Sequence, residues 1–285
     1  MSTTYAEIAH VDAAQKRALL EQLLRAKSRR PKLFPLSFAQ QRLWFLDKLQ
    51  PNSAAYNVPT VVRLSGAIDL EPFHKALDLV VERHESLRTT FEGNEDSPAQ
   101  RINPPSSVRM QVIDLAHFPP AEQKTEADRI VSEEIRKPFD LGEDLMIRPT
   151  LIRLAPAEHI LVLVTHHAAS DEWSLRILFR EWAAYYSGIR EGKEVKLPDL
   201  AIQYADFAQG QRDWLKSDDY KKQLEYWSAR LQSPPVLQLP TDRPRPATQT
   251  RRRSPASDLP TPMTSAVQPR SPTRSSVART SSRTV

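Results

Sequence analysis

Residues 160–164 read Ile-Leu-Val-Leu-Val, and this unbroken apolar run limits the fold more than any other feature of the chain. A strand without polar alternation has to be covered on both faces, so it needs a sheet with packed layers on either side. Directly after it come His166-His167-Ala168-Ala169-Ser170-Asp171. Then Leu175, Leu178, Trp182, Tyr185 and Tyr186 recur at three-to-four spacing, the mark of an amphipathic helix. Ser170 or Asp171 has the chemistry to cap that helix. The histidine pair therefore belongs to a strand-to-helix connection, with a fixed base and an open side. A histidine exchanges a proton near neutral pH, so one ring can be held by structure while its neighbour faces a substrate. The bland alternative is that both rings are structural.

Three other segments bear on that choice. Ser37-Phe38-Ala39-Gln40-Gln41-Arg42-Leu43-Trp44-Phe45-Leu46 places Ser37 and Gln40 at capping-box spacing and Ala39, Leu43 and Leu46 on one face, which predicts a helix over 37–49. Leu70, Phe73, Leu77, Val80 and Val81 form a helix face behind Asp69. It leads into Arg83-His84-Glu85-Ser86-Leu87-Arg88-Thr89-Thr90-Phe91, where 87–91 reads as a strand and Arg83, Glu85 and Arg88 as a solvated or ion-paired end. Tyr204-Ala205-Asp206-Phe207-Ala208 comes last, ahead of Trp214 and a stripe of Tyr220, Leu224, Trp227 and Leu231 that reads as core rather than as cofactor contacts. Further strands are expected at 58–64, 108–114, 147–154 and 160–165. Further helices are expected at 14–27, 69–83, 120–136, 172–187, 203–215 and 219–232.

In this order and spacing the four segments resemble the successive core motifs of condensation domains of nonribosomal peptide synthetases. Lys137-Pro138-Phe139-Asp140-Leu141, Ile147-Arg148, Arg153-Leu154 and Leu239-Pro240-Thr241-Asp242-Arg243-Pro244 are similar to the same family. The resemblance implies an α/β fold (an α+β sandwich), a chloramphenicol-acetyltransferase-like lobe with an incomplete second lobe and the histidine motif in the cleft between the two. It also implies the reaction: an amide is formed between acyl or peptidyl and aminoacyl thioesters carried on phosphopantetheine arms, in secondary-metabolite biosynthesis. No cofactor is expected on the domain itself. The implied partners are peptidyl or acyl carrier proteins, with a missing second lobe or adjacent synthetase domains. His167 matches the histidine assigned to the reaction, as a base toward the attacking amine or as a stabiliser of the tetrahedral intermediate. His166 and Asp171 match residues that shape the loop, and Arg148 matches the ion-pair partner of Asp171.

Two departures stand out. Glu172 occupies the position where the family has glycine after the aspartate, so its carboxylate either enters the cleft or points outward from the first helical turn, where negative charge is favoured. The family's later motifs are also not found. After Pro246 the composition switches to Ser, Thr, Arg and Pro, and residues 247–285 contain no aromatic residue, glycine, lysine or glutamate. That segment holds seven arginines against Asp258 alone, a net of +6; with the whole chain at +5, residues 1–246 sum to −1. The basic character is therefore a property of the tail, not a nucleic-acid footprint on a folded surface.

These features predict an N-terminal helix and linker over 1–31, a condensation domain over 32–246 comprising its first lobe and the start of the second, and a disordered tail over 247–285 whose composition reads like a shifted reading frame. With no cysteine there is no disulfide framework, thiolate metal site or cysteine nucleophile. His74, His84, His117 and His159 show no ligand spacing, so no metal is expected. No signal peptide and no membrane-length run is found, so a cytoplasmic chain without membrane or nucleic-acid partners is expected. Two readings of different classes stand. One is an acyl-transferring condensation domain; the other is an inactive remnant that acts at most as a carrier-protein or synthetase binding module. A coenzyme A-dependent acyltransferase or an epimerisation domain fits the first two motifs less well.

Overall fold

A computed structural model of the chain describes residues 31–94 and 97–234. The expected helix at 14–27 and the expected tail at 247–285 lie outside the described residues. The elements in chain order are β1 (Lys32–Pro35), α1 (Phe38–Leu49), β2 (Asn57–Ser65), α2 (Leu70–Arg83), a 3-10 turn (Glu85–Arg88), β3 (Thr89–Glu92), β4 (Ala99–Ile102), β5 (Gln111–Asp114), α3 (Pro120–Arg136), β6 (Ile147–Ala155), β7 (Glu158–His166), α4 (Glu172–Arg190), α5 (Tyr204–Trp214) and α6 (Asp218–Arg230).

The apolar run becomes β7, with antiparallel neighbours β2 and β6 on its two edges, while β5 extends the sheet parallel to β6. Its side chains alternate between two cores, as the two-residue period of a strand requires. Leu161 and Leu163 pack with Phe73, Leu77, Val80 and Val81 of α2 and with Leu175, Leu178 and Trp182 of α4. Val162 and Val164 face the other way, toward Ala127 and Ile130 of α3 and Leu43 and Trp44 of α1. The result is a three-layer lobe. Trp182 closes the first core by stacking on Phe73 with centroids 4.5 Å apart and donating its indole N–H to the Phe73 carbonyl at 2.9 Å.

The start of α1 follows from its capping box: Ser37 Oγ accepts the Gln40 N–H at 3.1 Å, and Gln40 Oε1 accepts the Ser37 N–H at 3.0 Å. Elsewhere local hydrogen bonds shorten the expected strands. The 87–91 strand begins only at Thr89, because the Leu87 N–H closes a turn on the His84 carbonyl. The 108–114 strand begins at Gln111, because the Val108 N–H is taken by the Asp78 carboxylate at 2.7 Å. Arg83 and Arg88 are ion-paired rather than solvated, with Glu181 at 3.1 Å and Glu85 at 3.5 Å.

Of the two helices beyond residue 197, α5 packs on the lobe. Ala205 and Ala208 are buried, and α5 lies against β1 and the 3-10 turn. Tyr204 OH meets Ser37 Oγ at 3.0 Å, and Arg212 donates twice to the Leu36 carbonyl while lying over the Phe38 ring. The first and last motifs thus meet in space. Helix α6 has no buried residue and leaves Leu224 and Trp227 exposed.

Leu163 is fully buried between β7 and the α2–α4 layer. Leu163→Ala is expected to lower unfolding free energy by about 2–5 kcal/mol, read from the urea midpoint. A change under about 1 kcal/mol would mean that this face is not close-packed.

Candidate active site

The end of β7 is tied down on both sides. The His166 N–H bonds the Met146 carbonyl at 3.2 Å, and the His167 N–H bonds the Tyr56 carbonyl, just ahead of β2, at 2.9 Å. Beyond that point the chain turns: the N–H groups of Ala169 and Ser170 both reach back to the His166 carbonyl. The two imidazoles therefore leave one fixed backbone in opposite settings.

His166 is buried, with its ring edge-on to Tyr56 and Phe139. Its Nδ1 accepts the Ala168 N–H at 3.2 Å, which puts the ring proton of the neutral form on Nε2. Burial, aided by the adjacent His167, pushes its pKa down from 6.5 to about 4. His167 is exposed, and its Nδ1 lies 2.9 Å from the Ser170 carbonyl. A carbonyl only accepts, so the neutral ring carries its proton on Nδ1 and keeps its lone pair on Nε2.

Asp171 is the N-cap of α4. Its Oδ1 accepts the Ser174 N–H at 2.7 Å and the Ser174 hydroxyl at 2.6 Å. Those two bonds, the hydroxyl first, hold its carboxyl below the usual carboxylate range. Its expected ion pair with Arg148 is not formed. The side chain of Arg148 leaves β6 on the face covered by α3, at that helix's C-terminal end. There it donates to the carbonyls of Glu134, Lys137 and Pro138, meets the Glu134 carboxylate at 3.3 Å, and stacks on Phe139 at 4.3 Å. A cation is favoured at a helix C-terminus by the unpaired carbonyls gathered there. Arg148 reaches the motif through the Phe139 ring that flanks His166. Glu172 takes the outward course: its side chain is 85% exposed and meets Arg176 one turn on at 3.0 Å.

Sequence reasoning missed Tyr56, whose carbonyl anchors His167, because nothing in a linear pattern reveals that β2 registers Asn57 opposite His166. It also missed the carbonyl of Ser170, a backbone group that every residue type offers. A cavity of about 460 Å³ lined by Leu79, Arg83, Tyr185, Leu200 and Gln203 lies toward the other end of α4 and shares no residue with the histidine loop.

A family profile described as Condensation domain matches residues 31–268. The chain belongs to the condensation-domain family. A linear gramicidin synthase of Brevibacillus parabrevis is 43% identical over 216 residues, which is 75% of this chain and 3% of that protein. Phosphinothricin tripeptide synthetase PhsC of Streptomyces viridochromogenes is 38% identical over 249 residues, 83% of this chain and 23% of that one. Among solved structures, the X-domain in its complex with OxyB from teicoplanin biosynthesis superposes with a TM-score of 0.66 at 30% identity, covering 78% of this chain and 49% of that one. The starter condensation domain of rhizomide synthetase RzmA shares the fold, with a TM-score of 0.65 at 24% identity over 71% of this chain and 48% of that domain. The chain thus spans about half the length of these two solved chains and a small part of its curated relatives. No helix among the described residues is long and apolar enough to cross a membrane.

Two outcomes follow from this geometry. Asp171 and Arg148 share no partner, so the losses in stability of Asp171→Asn and Arg148→Leu should add in the double variant to within about 0.5 kcal/mol. A coupling above about 1 kcal/mol would restore the direct pair. His166 is uncharged in the fold but takes a proton near 6.5 once unfolded. Its contribution is therefore complete above pH 6.5 and lost as pH falls toward 4. Relative to His166→Asn, the protein should lose roughly 2–3 kcal/mol between pH 7.5 and pH 4.5, measured by urea unfolding at each pH. A difference that stays constant over that range would show that the ring is not held neutral.

Proposed function

We propose that the chain is the histidine-bearing lobe of a condensation domain that forms amide bonds in nonribosomal peptide synthesis. The observation that carries this reading is His167, placed by a buried strand end, with its Nδ1 proton engaged by the Ser170 carbonyl and its Nε2 lone pair free. The substrates fitting that arrangement are an acyl or peptidyl thioester and an aminoacyl thioester, each on the phosphopantetheine arm of a carrier protein. Those carrier proteins and adjacent synthetase domains are the partners that the synthetase relatives support.

The acceptor amine attacks the thioester carbonyl carbon, a C–N bond forms, and the carbonyl π electrons move to oxygen. Nε2 of His167 takes a proton from the attacking nitrogen. As the intermediate collapses, the C–S bond breaks and the sulfur leaves with the bond's electrons, receiving the proton that the nitrogen gave up. A thioester is already activated, so holding two tethered reactants together supplies much of the acceleration, and the base has a modest task. His166 holds the loop and Asp171 starts α4, while Arg148 braces the ring packed on His166. Glu172 sits on the outer face with Arg176, so replacing the family glycine does not by itself put a carboxylate beside the reacting ring.

Single-turnover amide formation between acyl-loaded and aminoacyl-loaded carrier proteins, read by intact-protein mass, tests this. The expected result is product whose rate falls by about 10²–10⁴ in His167→Ala. Folded wild-type chain that makes no product would overturn the catalytic reading in favour of a binding module.

A further inference from the structure

His167 owes its tautomer to a backbone carbonyl, and that carbonyl is itself held by a side-chain device. The hydroxyl of Ser170 is buried and donates to the hydroxyl of Thr165 at 2.5 Å. Thr165 is fully buried on β7, where it is registered opposite Val58 of β2 and Ile147 of β6, and its own hydroxyl donates to the Val58 carbonyl at 3.5 Å. A β-branched side chain in a central strand has little rotameric freedom, so Thr165 is a rigid post. The hydroxyl contacts thus run from Ser170 to Thr165 on the inner strand β7 and on to Val58 of the edge strand β2.

We propose that Ser170 and Thr165 are positioning residues for His167, their buried hydroxyl pair holding the Ser170 carbonyl against Nδ1 so that the imidazole keeps its proton there and presents Nε2 to the reactants. This rests on the proposed amide-forming role of His167 only for its catalytic consequence; the tautomer itself is a property of the free protein. The remaining backbone bonds of the loop fix other atoms. The Ser170 N–H reaches the His166 carbonyl at 3.3 Å, a long bond that limits where the residue sits but not where its carbonyl points. Asp171 turns to Ser174 and leaves the ring of His167 without a side-chain carboxylate bonded to Nδ1. Orientation by a neighbouring carboxylate is thus replaced by a main-chain carbonyl under side-chain control.

The test is ¹⁵N NMR of the histidine rings in the full chain without substrate, comparing the wild type with Ser170→Ala, Thr165→Val and Thr165→Ser, alongside amide formation across pH. Wild type is expected to show Nδ1-protonated His167. In Ser170→Ala and Thr165→Val that signature should give way to a mixture of tautomers, with single-turnover rates down about 10- to 100-fold, the scale of a small misplacement of a catalytic group, at unchanged carrier-protein affinity. Thr165→Ser, which keeps the hydroxyl, should restore both. Thr165→Val retains the shape of the post, so it decides the matter if Ser170→Ala does not fold. A wild-type-like His167 tautomer in folded Ser170→Ala or Thr165→Val overturns the proposal. If the wild type forms no amide, the functional reading fails while the ring spectra still decide the positioning.

Discussion

The position of the histidine loop depends on β7 being bound on both edges and covered on both faces. Hydrogen-bonded neighbours remove its freedom to slide, because a slip of one residue would send Leu161 and Leu163 to the α3 side and Val162 and Val164 to the α2–α4 side. Such an exchange would misfit both cores at once. The end of the strand is therefore a fixed point, and the N–H groups of its last residue and of the one after it are taken up by Met146 and Tyr56 from the two flanking segments. A turn that starts from a fixed point and ends at a capped helix has few conformations left. The site inherits its precision from the sheet rather than from contacts of its own with substrate.

The same arrangement assigns different chemistry to two identical side chains one residue apart. His166 keeps the alternation of the strand and enters the core between Tyr56 and Phe139, where an uncharged ring is strongly favoured. His167 stands where the ladder ends, on the solvent side. Because the first accepts a hydrogen bond at Nδ1 and the second donates from Nδ1, they adopt opposite tautomers. Only the second offers a lone pair outward.

Elements with a strong period were legible in the sequence: the doubly covered strand, the capped α1 and the helix after the histidines all follow from residues a few positions apart. β1 and β4 were not, because four residues are too few to show a period and because β4 buries a polar side chain. Gln100 sits in the core, donating to the Pro35 carbonyl at 2.8 Å and accepting from Gln40 at 3.2 Å, so its burial rests on long-range hydrogen bonds that no apolar pattern signals. At the site, the strand-to-helix pattern singled out the histidine pair and the resemblance implied a role for His167, while the tautomers needed the backbone partners. Those partners are the Ala168 N–H for His166 and the Ser170 carbonyl for His167, reached through turn geometry.

Asp171 and Arg148 show why the pairing that the resemblance implied is not formed here. Each charge has a nearer way of being satisfied: the carboxylate has the first-turn donors of α4, and the guanidinium has the last-turn carbonyls of α3. Both are helix ends, and the unpaired backbone groups there complement the respective charges. A salt bridge between the two residues would have to replace several charge-assisted hydrogen bonds with one interaction and leave helix termini unsatisfied. Because Arg148 also stacks on Phe139, whose ring edges His166, its influence on the motif is transmitted by packing. Removing it would loosen the wall behind the buried histidine and leave the cap of α4 intact.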